Sequence, residues 1–508
     1  MSPAPTLLIR ADSSPEMGAG HVMRCLAMAQ AWQDSGGKVV WGGASQIPAV
    51  GKRIVAECAE LQEIHESPGS AADAAATSAL ANTHQVAWVV VDGYQFSYDY
   101  QRAMKGHGHR VLLWDDNGEA GRYCCELVLN QNAHASEAYY QQREAQTQLL
   151  LGTRFAQIRR ELWPWRQCAR DSDVPVRHIL VTLGGSDPSG ATEVVLDALR
   201  LCPNDDLQVT LVVGGGNPRR DAIAARAAEL PSVRLVSDAP NMPELMAEAD
   251  LAVSAGGSTC WELALMGLPA LVLIAADNQE RNVRALERQG AAINLGWTHE
   301  LKPDRLAREL ARVTEDAALR QSLSGAGREM VDGYGPARVG ALLRDERVWL
   351  RPVARGDTRQ LWEWANDPLV RAVSFRSDPI PWEDHVRWLD AKLADPRGSL
   401  YLALTPEDRP VGLVRFDRGE SHADISIVLG QEHRGRGLGV ELIRRGAQRQ
   451  FQEQGVQQID AYIKPDNAAS VSAFTKAGFQ MAGETVVAGN TAIKMCLHRN
   501  ALARETNS

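Results

Sequence analysis

The sequence predicts an α/β protein in which two Rossmann-like domains follow one another and a third α/β domain ends the chain. Three observations carry this prediction. Apolar strands alternate with helix-like segments from the start of the chain, the alternation restarts after a polar, proline-containing stretch at 170–175, and unrelated motifs begin near residue 348. A chain of 508 residues has room for about three domains. We therefore expect domains at 1–168, 169–345 and 346–508.

The composition is that of an ordinary globular protein, with 44% hydrophobic and 23% charged residues. A formal net charge of −9 argues against a nucleic-acid partner, because phosphate binding needs a basic surface. The eight cysteines form no CxxC pair, so neither a zinc site nor a disulfide framework is expected. No apolar run is long enough to span a membrane, and the start lacks a signal-peptide pattern. We expect a cytoplasmic enzyme, and the sequence leaves its oligomeric state open.

The first strand, at 7–10, leads into a glycine turn that delivers a histidine. Gly18 and Gly20 precede His21, and the helical spacing of the apolar residues after it predicts that His21 opens a helix. In open α/β sheets, ligands bind where strands give way to helices. An imidazole titrates near neutrality, so we predict that His21 is a general base. Simple packing of the turn is the alternative.

Two further strands of the first domain end in polar residues. The strand at 86–91 ends in Asp92 and Tyr94, and the strand at 110–114 is followed by Asp115-Asp116-Asn117. Adjacent carboxylates on a tight turn point in different directions, and such residues usually bond their own backbone, so we predict no metal there. Tyr94 could instead cap its strand, and Asp92 could only orient its loop.

The second domain carries a small-residue loop between a strand at 251–254 and a helix. Backbone amides and the positive end of the helix dipole form an anion site suited to a diphosphate, and Glu262, one turn inside the helix, could accept both ribose hydroxyls of a nucleotide. A helix-capping role is the alternative for Glu262. The residues assigned to this site are Gly256, Gly257, Ser258, Thr259 and Glu262.

Seven ordered motifs across about residues 1–340 resemble the UDP-sugar hydrolases of pseudaminic acid biosynthesis. They lie around residue 21 and at 91–94, 114–117, 151–155, 183–188, 256–262 and 277–280. The resemblance implies a GT-B arrangement and no metal. It also implies that UDP-2,4-diacetamido-2,4,6-trideoxy-β-L-altropyranose is hydrolysed at C1 with inversion, by water that His21 activates.

The same resemblance implies which residues meet the substrate. It places Tyr94, in a catalytic role, and Asn278 beside the sugar, and it extends substrate binding to Gly20, Asp92 and Gln279. A GT-B glycosyltransferase and a hydrolysing 2-epimerase are the alternatives, because the same fold serves both.

The third domain carries another strand, glycine turn and helix, with arginines at 434 and 436. Closely spaced amides and two arginines suit a pyrophosphate. The spacing Arg-x-x-Gly-x-Gly and the segment at 467–479 resemble the GNAT acetyltransferases. This resemblance implies acetyl-CoA as co-substrate, and the residues assigned to it are Ile427, Val428, Arg434, Gly435, Arg436, Gly437, Leu438, Gly439, Asn467 and Lys476.

Acetyl transfer needs a base to deprotonate the amine, and Asp424, on the strand before the glycine turn, is our candidate. Glu383 and His385 are alternatives. Phe474 stands where many GNAT enzymes have a tyrosine, and it cannot donate a proton, so the acid stays open. Together, the resemblances to the hydrolases of pseudaminic acid biosynthesis and to the GNAT enzymes imply acetylation of the 4-amino group of the precursor UDP-sugar. UDP-linked amino sugars are thus the expected partners, and a module that binds acetyl-CoA without transferring acetyl is the alternative.

Overall fold

The computed structural model describes residues 5–500 apart from 15–17, 59, 169, 186, 188, 203–205 and 216. Ser186, Pro188 and Gly216, which belong to the sequence motifs, lie outside the described residues. The chain forms two compact units, one at Pro5–Gly340 and one that begins at Ala341. No helix in the described part of the chain is long and apolar enough to cross a membrane.

The first half of the Pro5–Gly340 unit is built on a seven-stranded parallel sheet in the order β3-β2-β1-β4-β5-β6-β7. Its interior strands are continuous apolar runs because both faces of the sheet are covered. Since β1 pairs with both β2 and β4, the strand order reverses between β1 and β4. The elements are β1 (Thr6–Ala11), α1 (Gly20–Asp34), β2 (Lys38–Gly42), α2 (Pro48–Cys58), β3 (Leu61–Gln62), α3 (Ala71–Thr83), β4 (Trp88–Asp92), α4 (Tyr98–Gly106), β5 (Val111–Trp114), β6 (Leu127–Asn130) and β7 (Gln148–Leu151).

The second half repeats this plan with six parallel strands in the order β10-β9-β8-β11-β12-β13. The prediction of two Rossmann-like sheets is confirmed. The elements are β8 (His178–Thr182), α5 (Ala191–Arg200), β9 (Gln208–Val213), α6 (Arg220–Ala228), β10 (Val233–Ser237), α7 (Met242–Glu248), β11 (Leu251–Ala255), α8 (Thr259–Leu265), β12 (Ala270–Ile274), α9 (Asp277–Arg288), β13 (Ile293–Trp297), α10 (Pro303–Glu315), α11 (Ala317–Met330) and α12 (Gly335–Leu343).

The segment between the two sheets packs with the second half. Ala156, Ile158 and Leu162 are buried in the same apolar cluster as the strands and helices of that half. The start of α12 lies against this segment, and a Cβ built on Gly335 would come 2.2 Å from the carbonyl oxygen of Ala156. The core of the second half therefore extends upstream of residue 169, and the boundary at 168/169 stays a prediction.

The unit that begins at Ala341 has a seven-stranded mixed sheet in the order β14-β15-β16-β17-β18-β20-β19. Strands β17 and β18 run parallel and pair only over His422–Asp424 and Gln458–Asp460, so they diverge beyond Asp424. The elements are β14 (Trp349–Pro352), α13 (Thr358–Ala365), α14 (Pro368–Val373), α15 (Trp382–Ala394), β15 (Gly398–Leu404), β16 (Pro410–Arg418), β17 (His422–Leu429), α16 (Leu438–Glu453), β18 (Gln458–Ile463), α17 (Ala468–Lys476), β19 (Gln480–Val487) and β20 (Asn490–His498).

Replacement of Gly335 tests the close approach of α12 to the segment that joins the two sheets. We expect Gly335→Ala to lower the free energy of unfolding of the Pro5–Gly340 unit by about 1–3 kcal/mol, because a backbone atom must shift to admit the methyl group. Gly325→Ala is the matched control: Gly325 lies in α11 with open space around it, so alanine should stabilise the helix by up to about 1 kcal/mol. Thermal unfolding measures both, and an unchanged Gly335→Ala midpoint would contradict the packing.

Candidate active sites

His21 and Asp92 meet where the order of the first sheet reverses. His21 lies in the first turn of α1, after β1, and Asp92 ends the neighbouring β4. The Nδ1 of His21 is 2.6 Å from Oδ1 of Asp92, and the two residues are 7% and 0% exposed. The carboxylate can only accept, so we assign the Nδ1 proton to this bond. Nε2 is then the nitrogen with a lone pair available for a proton.

Arg24 also binds Asp92, and the sequence motifs did not reveal this role. Its Nε and Nη2 donate to the two oxygens of Asp92, each at 2.7 Å, and its Nη1 donates to Oδ2 of Asp116 at 2.8 Å. Burial alone would raise the pKa of Asp92, but the charges of Arg24 and His21 hold it well below its ordinary value. The spacing of three residues from His21 puts Arg24 on the same face of α1, and that was the available signal.

Tyr94 connects this site to the second half of the unit. Its ring stands edge-on to the ring of His21, with centroids 5.1 Å apart. Its hydroxyl accepts a 2.7 Å hydrogen bond from Nδ2 of Asn278, in the first turn of α9. Burial and the nearby charge of Asp116 raise the pKa of Tyr94 to about 12. Tyr94 is therefore a neutral hydrogen-bonding group at physiological pH.

Asp115 and Asp116 face different partners. The carboxylate of Asp115 accepts the backbone N–H groups of residues 117–120 and the hydroxyl of Tyr123. That of Asp116 pairs with Arg24 and accepts a 2.6 Å hydrogen bond from Nδ2 of Asn132. The structure thus shows the expected divergence of the two carboxylates.

The loop after β11 presents free backbone amides at the start of α8. Within the described part of the chain, the amides of Ser258 and Thr259 donate no hydrogen bond. A Cβ on Gly256 would come 2.3 Å from Cγ2 of Val283, whereas Gly257 and Gly20 have open space around their Cα atoms. The narrow fit at Gly256 lets the loop lie against α9.

Gln279 holds this loop in place, and Glu262 of α8 pairs with an arginine. Oε1 of Gln279 accepts the N–H groups of Gly256 at 3.2 Å and Ala275 at 3.0 Å, so the side chain braces the loop through its backbone. Oε1 of Glu262 accepts two hydrogen bonds from Arg159, at 2.9 and 2.8 Å, which leaves Oε2 for another donor. Among the described residues, the Glu262 side chain bonds Arg159 and no capping amide. The sequence motifs missed Arg159.

The second candidate site lies in the unit that begins at Ala341. The loop between β17 and α16 has two glycines in left-handed backbone conformations, Gly435 and Gly437, with φ of 74° and 77°. Arg434 is held by the protein itself: its Nε donates to the carbonyl of Leu429 at 3.1 Å and its Nη1 lies 3.0 Å from Asp367. The exposed side chain nearest the glycine turn is that of Arg436.

The other residues assigned to acetyl-CoA lie on the elements around this loop. Ile427 and Val428 belong to β17 beyond the point where β18 diverges, and Leu438 and Gly439 begin α16. Asn467 caps α17 by accepting the N–H of Ser470 at 3.1 Å. Lys476 is the last residue of α17.

Asp424 stands where β17 and β18 part. Its Oδ1 is buried without a hydrogen-bond partner among the described residues. Burial, together with the charges of Asp460 and Asp417, raises the pKa of Asp424 although His422 opposes the shift. Asp460 is neutralised by Nζ of Lys494 at 2.9 Å. Ligand atoms of His422, Asp424 and Asp460 lie within 4.8 Å of one another, which is close enough to hold a cation.

The alternative bases and Phe474 occupy different surroundings. Glu383 is exposed in the first turn of α15. His385 is 3% exposed, its Nε2 has no hydrogen-bond partner in the described part of the chain, and burial lowers its pKa. Phe474 is 4% exposed and packs edge-on against Phe479, so it belongs to the core.

Two parts of the chain match known family models. Residues 347–480 match the acetyltransferase (GNAT) domain, and residues 178–329 match the glycosyltransferase family 28 C-terminal domain. The first match confirms the predicted nature of the third domain. The second agrees with the GT-B character expected of the two Rossmann-like halves.

Three relatives align with different shares of the chain. Spore coat polysaccharide biosynthesis protein SpsG of Bacillus subtilis is 35% identical over 170 residues, which is 33% of this chain and 50% of SpsG. An uncharacterized protein of Methanocaldococcus jannaschii is 21% identical over 93% of this chain and 96% of its own length. The UDP-2,4-diacetamido-2,4,6-trideoxy-beta-L-altropyranose hydrolase of Campylobacter jejuni is 23% identical over 56% of this chain and 97% of its own length. The chain thus joins a part similar to a UDP-sugar hydrolase to a part that matches the acetyltransferase (GNAT) domain model.

Replacement of Asp92 tests how much the fold depends on this buried carboxylate. We expect Asp92→Asn to lower the free energy of unfolding by about 3 kcal/mol at pH 7, because it leaves buried Arg24 with one carboxylate partner. The pKa of Asp92 is lowered in the folded state, so its contribution is complete above about pH 4 and fades as the pH falls further.

Urea unfolding from pH 7 to pH 3 measures the gap between the wild-type protein and Asp92→Asn. The gap should narrow as the pH falls from about 4 to 3, where the Asp92 carboxylate of the unfolded chain becomes protonated. Glu66→Gln, at an exposed carboxylate, is the matched control and should change stability by less than about 0.5 kcal/mol. A gap that persists unchanged at pH 3 would contradict the role of the ionised carboxylate.

Proposed function

We propose that residues 1–345 hydrolyse UDP-2,4-diacetamido-2,4,6-trideoxy-β-L-altropyranose to UDP and the free sugar. The observation that carries the proposal is the buried His21–Asp92 pair, which leaves Nε2 of His21 as a base. Continuous contacts connect it to the amide-rich loop: the ring of His21 meets Tyr94, Tyr94 bonds Asn278, and the adjacent Gln279 bonds Gly256. The alignment with nearly the whole Campylobacter hydrolase supports the choice of substrate.

In the proposed hydrolysis, a water oxygen bonds to C1 of the sugar while the bond from C1 to the diphosphate oxygen breaks. Nε2 of His21 takes the proton of the water, and the negative charge of Asp92 stabilises the imidazolium that forms. The free backbone amides of Ser258 and Thr259 donate hydrogen bonds to the leaving diphosphate and stabilise the negative charge that develops on it. Oε2 of Glu262 is available for the ribose. UDP leaves without a general acid, and attack from the opposite face inverts C1.

We propose that the domain at 346–508 acetylates an amine with acetyl-CoA. The pyrophosphate would lie on the glycine turn from Arg434 to Gly439, and the pantetheine arm between β17 and β18, alongside Ile427 and Val428. Asp424 accepts the proton of the amine, directly or through water, while the C–N bond forms and the C–S bond breaks to release the CoA thiolate. The raised pKa of Asp424 brings it closer to the working pH, as a general base requires.

The two activities would act in sequence on one sugar. In our proposal the acetyltransferase modifies the 4-amino group of UDP-4-amino-4,6-dideoxy-N-acetyl-β-L-altrosamine, and the hydrolase then releases UDP from the product. The presence of both domains in one chain supports this order. A cytoplasmic location and independence of a metal stay predictions.

Two alternatives have a specific observation in their favour. The match of residues 178–329 to a glycosyltransferase domain favours transfer of the sugar to an acceptor hydroxyl in place of water. The burial of Phe474, which cannot serve as an acid, favours a third domain that binds acetyl-CoA without transferring acetyl. UDP release without an acceptor excludes the first, and CoA release that depends on the amino sugar excludes the second.

Two variants separate the proposed activities in the full chain. We expect His21→Asn to lower UDP release from the diacetamido sugar about 10²- to 10⁴-fold, because the base is lost, while CoA release from acetyl-CoA and the amino sugar stays within about twofold. Gly437→Val should lower CoA release and leave UDP release unchanged, since a branched side chain strains the left-handed turn on which the pyrophosphate would lie.

Matched controls distinguish these effects from general damage. His65→Asn alters an exposed histidine, and Gly489→Val alters a left-handed glycine with open space in the β19–β20 turn; both should keep both activities. Undiminished UDP release by His21→Asn would overturn its role as base. No UDP release by the wild-type chain would overturn the hydrolase proposal.

A further inference from the structure

Arg24 and Asp116 form a second layer of charge behind the His21–Asp92 pair. The guanidinium of Arg24 donates hydrogen bonds to both oxygens of Asp92 and to Asp116. Its Nη2 also lies 3.4 Å from Nδ1 of His21. The guanidinium lies over the ring of Trp114, 4.7 Å from the centroid. Arg24 is 8% and Asp116 9% exposed, so water screens these charges weakly.

We propose that Arg24 and Asp116 act as a positioning pair that fixes Asp92 and sets the pH range in which His21 is a free base. The proposal rests on the proposed hydrolase function for its activity readout. Arg24 touches neither the water nor the sugar in this scheme. It acts through Asp92, whose Oδ1 must face Nδ1 of His21 for Nε2 to stay available.

The charge balance around His21 follows from the groups that face it. Asp92 and Asp116 each carry −1 and Arg24 carries +1, so the three together present −1 to the imidazole. Among the other described groups that contact this cluster, the thiol of Cys25 and the hydroxyl of Tyr94 are neutral around pH 7. Burial raises the pKa of Cys25, which donates to Asp92, and the pKa of Tyr94 is raised to about 12.

His134, Asn132 and Asn278 complete the surroundings. Nε2 of His134 lies 3.1 Å from the backbone oxygen of Asp116, and burial, assisted by the charge of Arg281, lowers the pKa of His134. Asn132 and Asn278 bond Asp116 and Tyr94 and carry no charge. Among the described residues, Asp92, Arg24 and Asp116 therefore form the charged cluster that is hydrogen-bonded to His21.

An arginine suits this position better than a lysine. Its planar fork makes two parallel bonds to one carboxylate, which fixes the rotation of Asp92. It stays protonated at every pH at which the protein is folded, so the charge it supplies is constant. Removal of the Arg24 charge leaves the two carboxylates, with a total charge of −2, beside His21 and favours the imidazolium. Removal of the Asp116 charge leaves a total charge of 0 and disfavours the imidazolium.

The test compares pH profiles of kcat/KM for UDP release by the full chain. We expect Arg24→Met to move the acid limb up by about one pH unit and Asp116→Asn to move it down by about one, since a charge within a few ångströms has an effect of this size. The double variant restores a total charge of −1 beside His21, so the acid limb of its pH profile should return to within about half a pH unit of the wild type. Arg24→Lys keeps the charge without the fork, so it should lower kcat while the limb stays in place.

A second readout does not need activity. Diethyl pyrocarbonate modifies neutral imidazoles, and peptide mapping of the full chain gives the extent of His21 modification at each pH. We expect the pH dependence of His21 modification to shift up in Arg24→Met and down in Asp116→Asn. An unchanged affinity for UDP shows that each variant is folded.

Each outcome decides one claim. Opposite shifts in the two single variants support the pair. Shifts in the same direction, or none, overturn it and leave Arg24 a structural role only. A wild-type chain that releases no UDP overturns the proposed hydrolase, while the modification profile still tests the pair.

Discussion

The buried carboxylate of Asp92 is the group on which the first candidate site depends. A carboxylate without exposure to water is stable only when its charge is compensated, and Arg24, His21 and the thiol of Cys25 all contact it. The sheet order makes this meeting geometrically necessary, because β1 and β4 are neighbours whose connections leave in opposite directions. The same compensation that keeps Asp92 ionised orients His21 for proton transfer.

Hydrogen bonds from amide side chains connect this site to the second half of the unit. Asn278 reaches Tyr94, and Gln279 holds the loop at Gly256. Asn282, which is 3% exposed, accepts from the amide of Ala133 and donates to the carbonyl of Gly256. Hydrogen bonds between uncharged groups therefore fix the loop after β11, with its free backbone amides, relative to His21. Such fixed geometry is what displacement at an anomeric carbon requires of an enzyme that acts mainly by positioning.

The sequence was sufficient to predict the architecture, but not the hydrogen-bond partners of the candidate site residues. Strands buried on both faces are uninterrupted apolar runs, and glycine turns mark where each gives way to a helix, so both sheets and both glycine loops could be predicted. Arg24 and Arg159 bind carboxylates 68 and 103 residues away, and no local spacing reveals such pairs. The motifs likewise do not reveal that the side chains of Gln279, Arg434 and Asn467 bond the backbone of the protein, and the predicted ligand contacts of these residues stay predictions.

In the proposed hydrolysis, water activated by His21 attacks C1 of a UDP-linked sugar. Hydrolysis in H₂¹⁸O, with mass analysis of the UDP released at early times, shows which bond the water breaks. Attack at C1 breaks the bond between carbon and oxygen, so we expect UDP without ¹⁸O and a sugar that carries the label. One ¹⁸O atom in the β-phosphate of UDP would show attack at phosphorus and would rule out the proposed attack at C1.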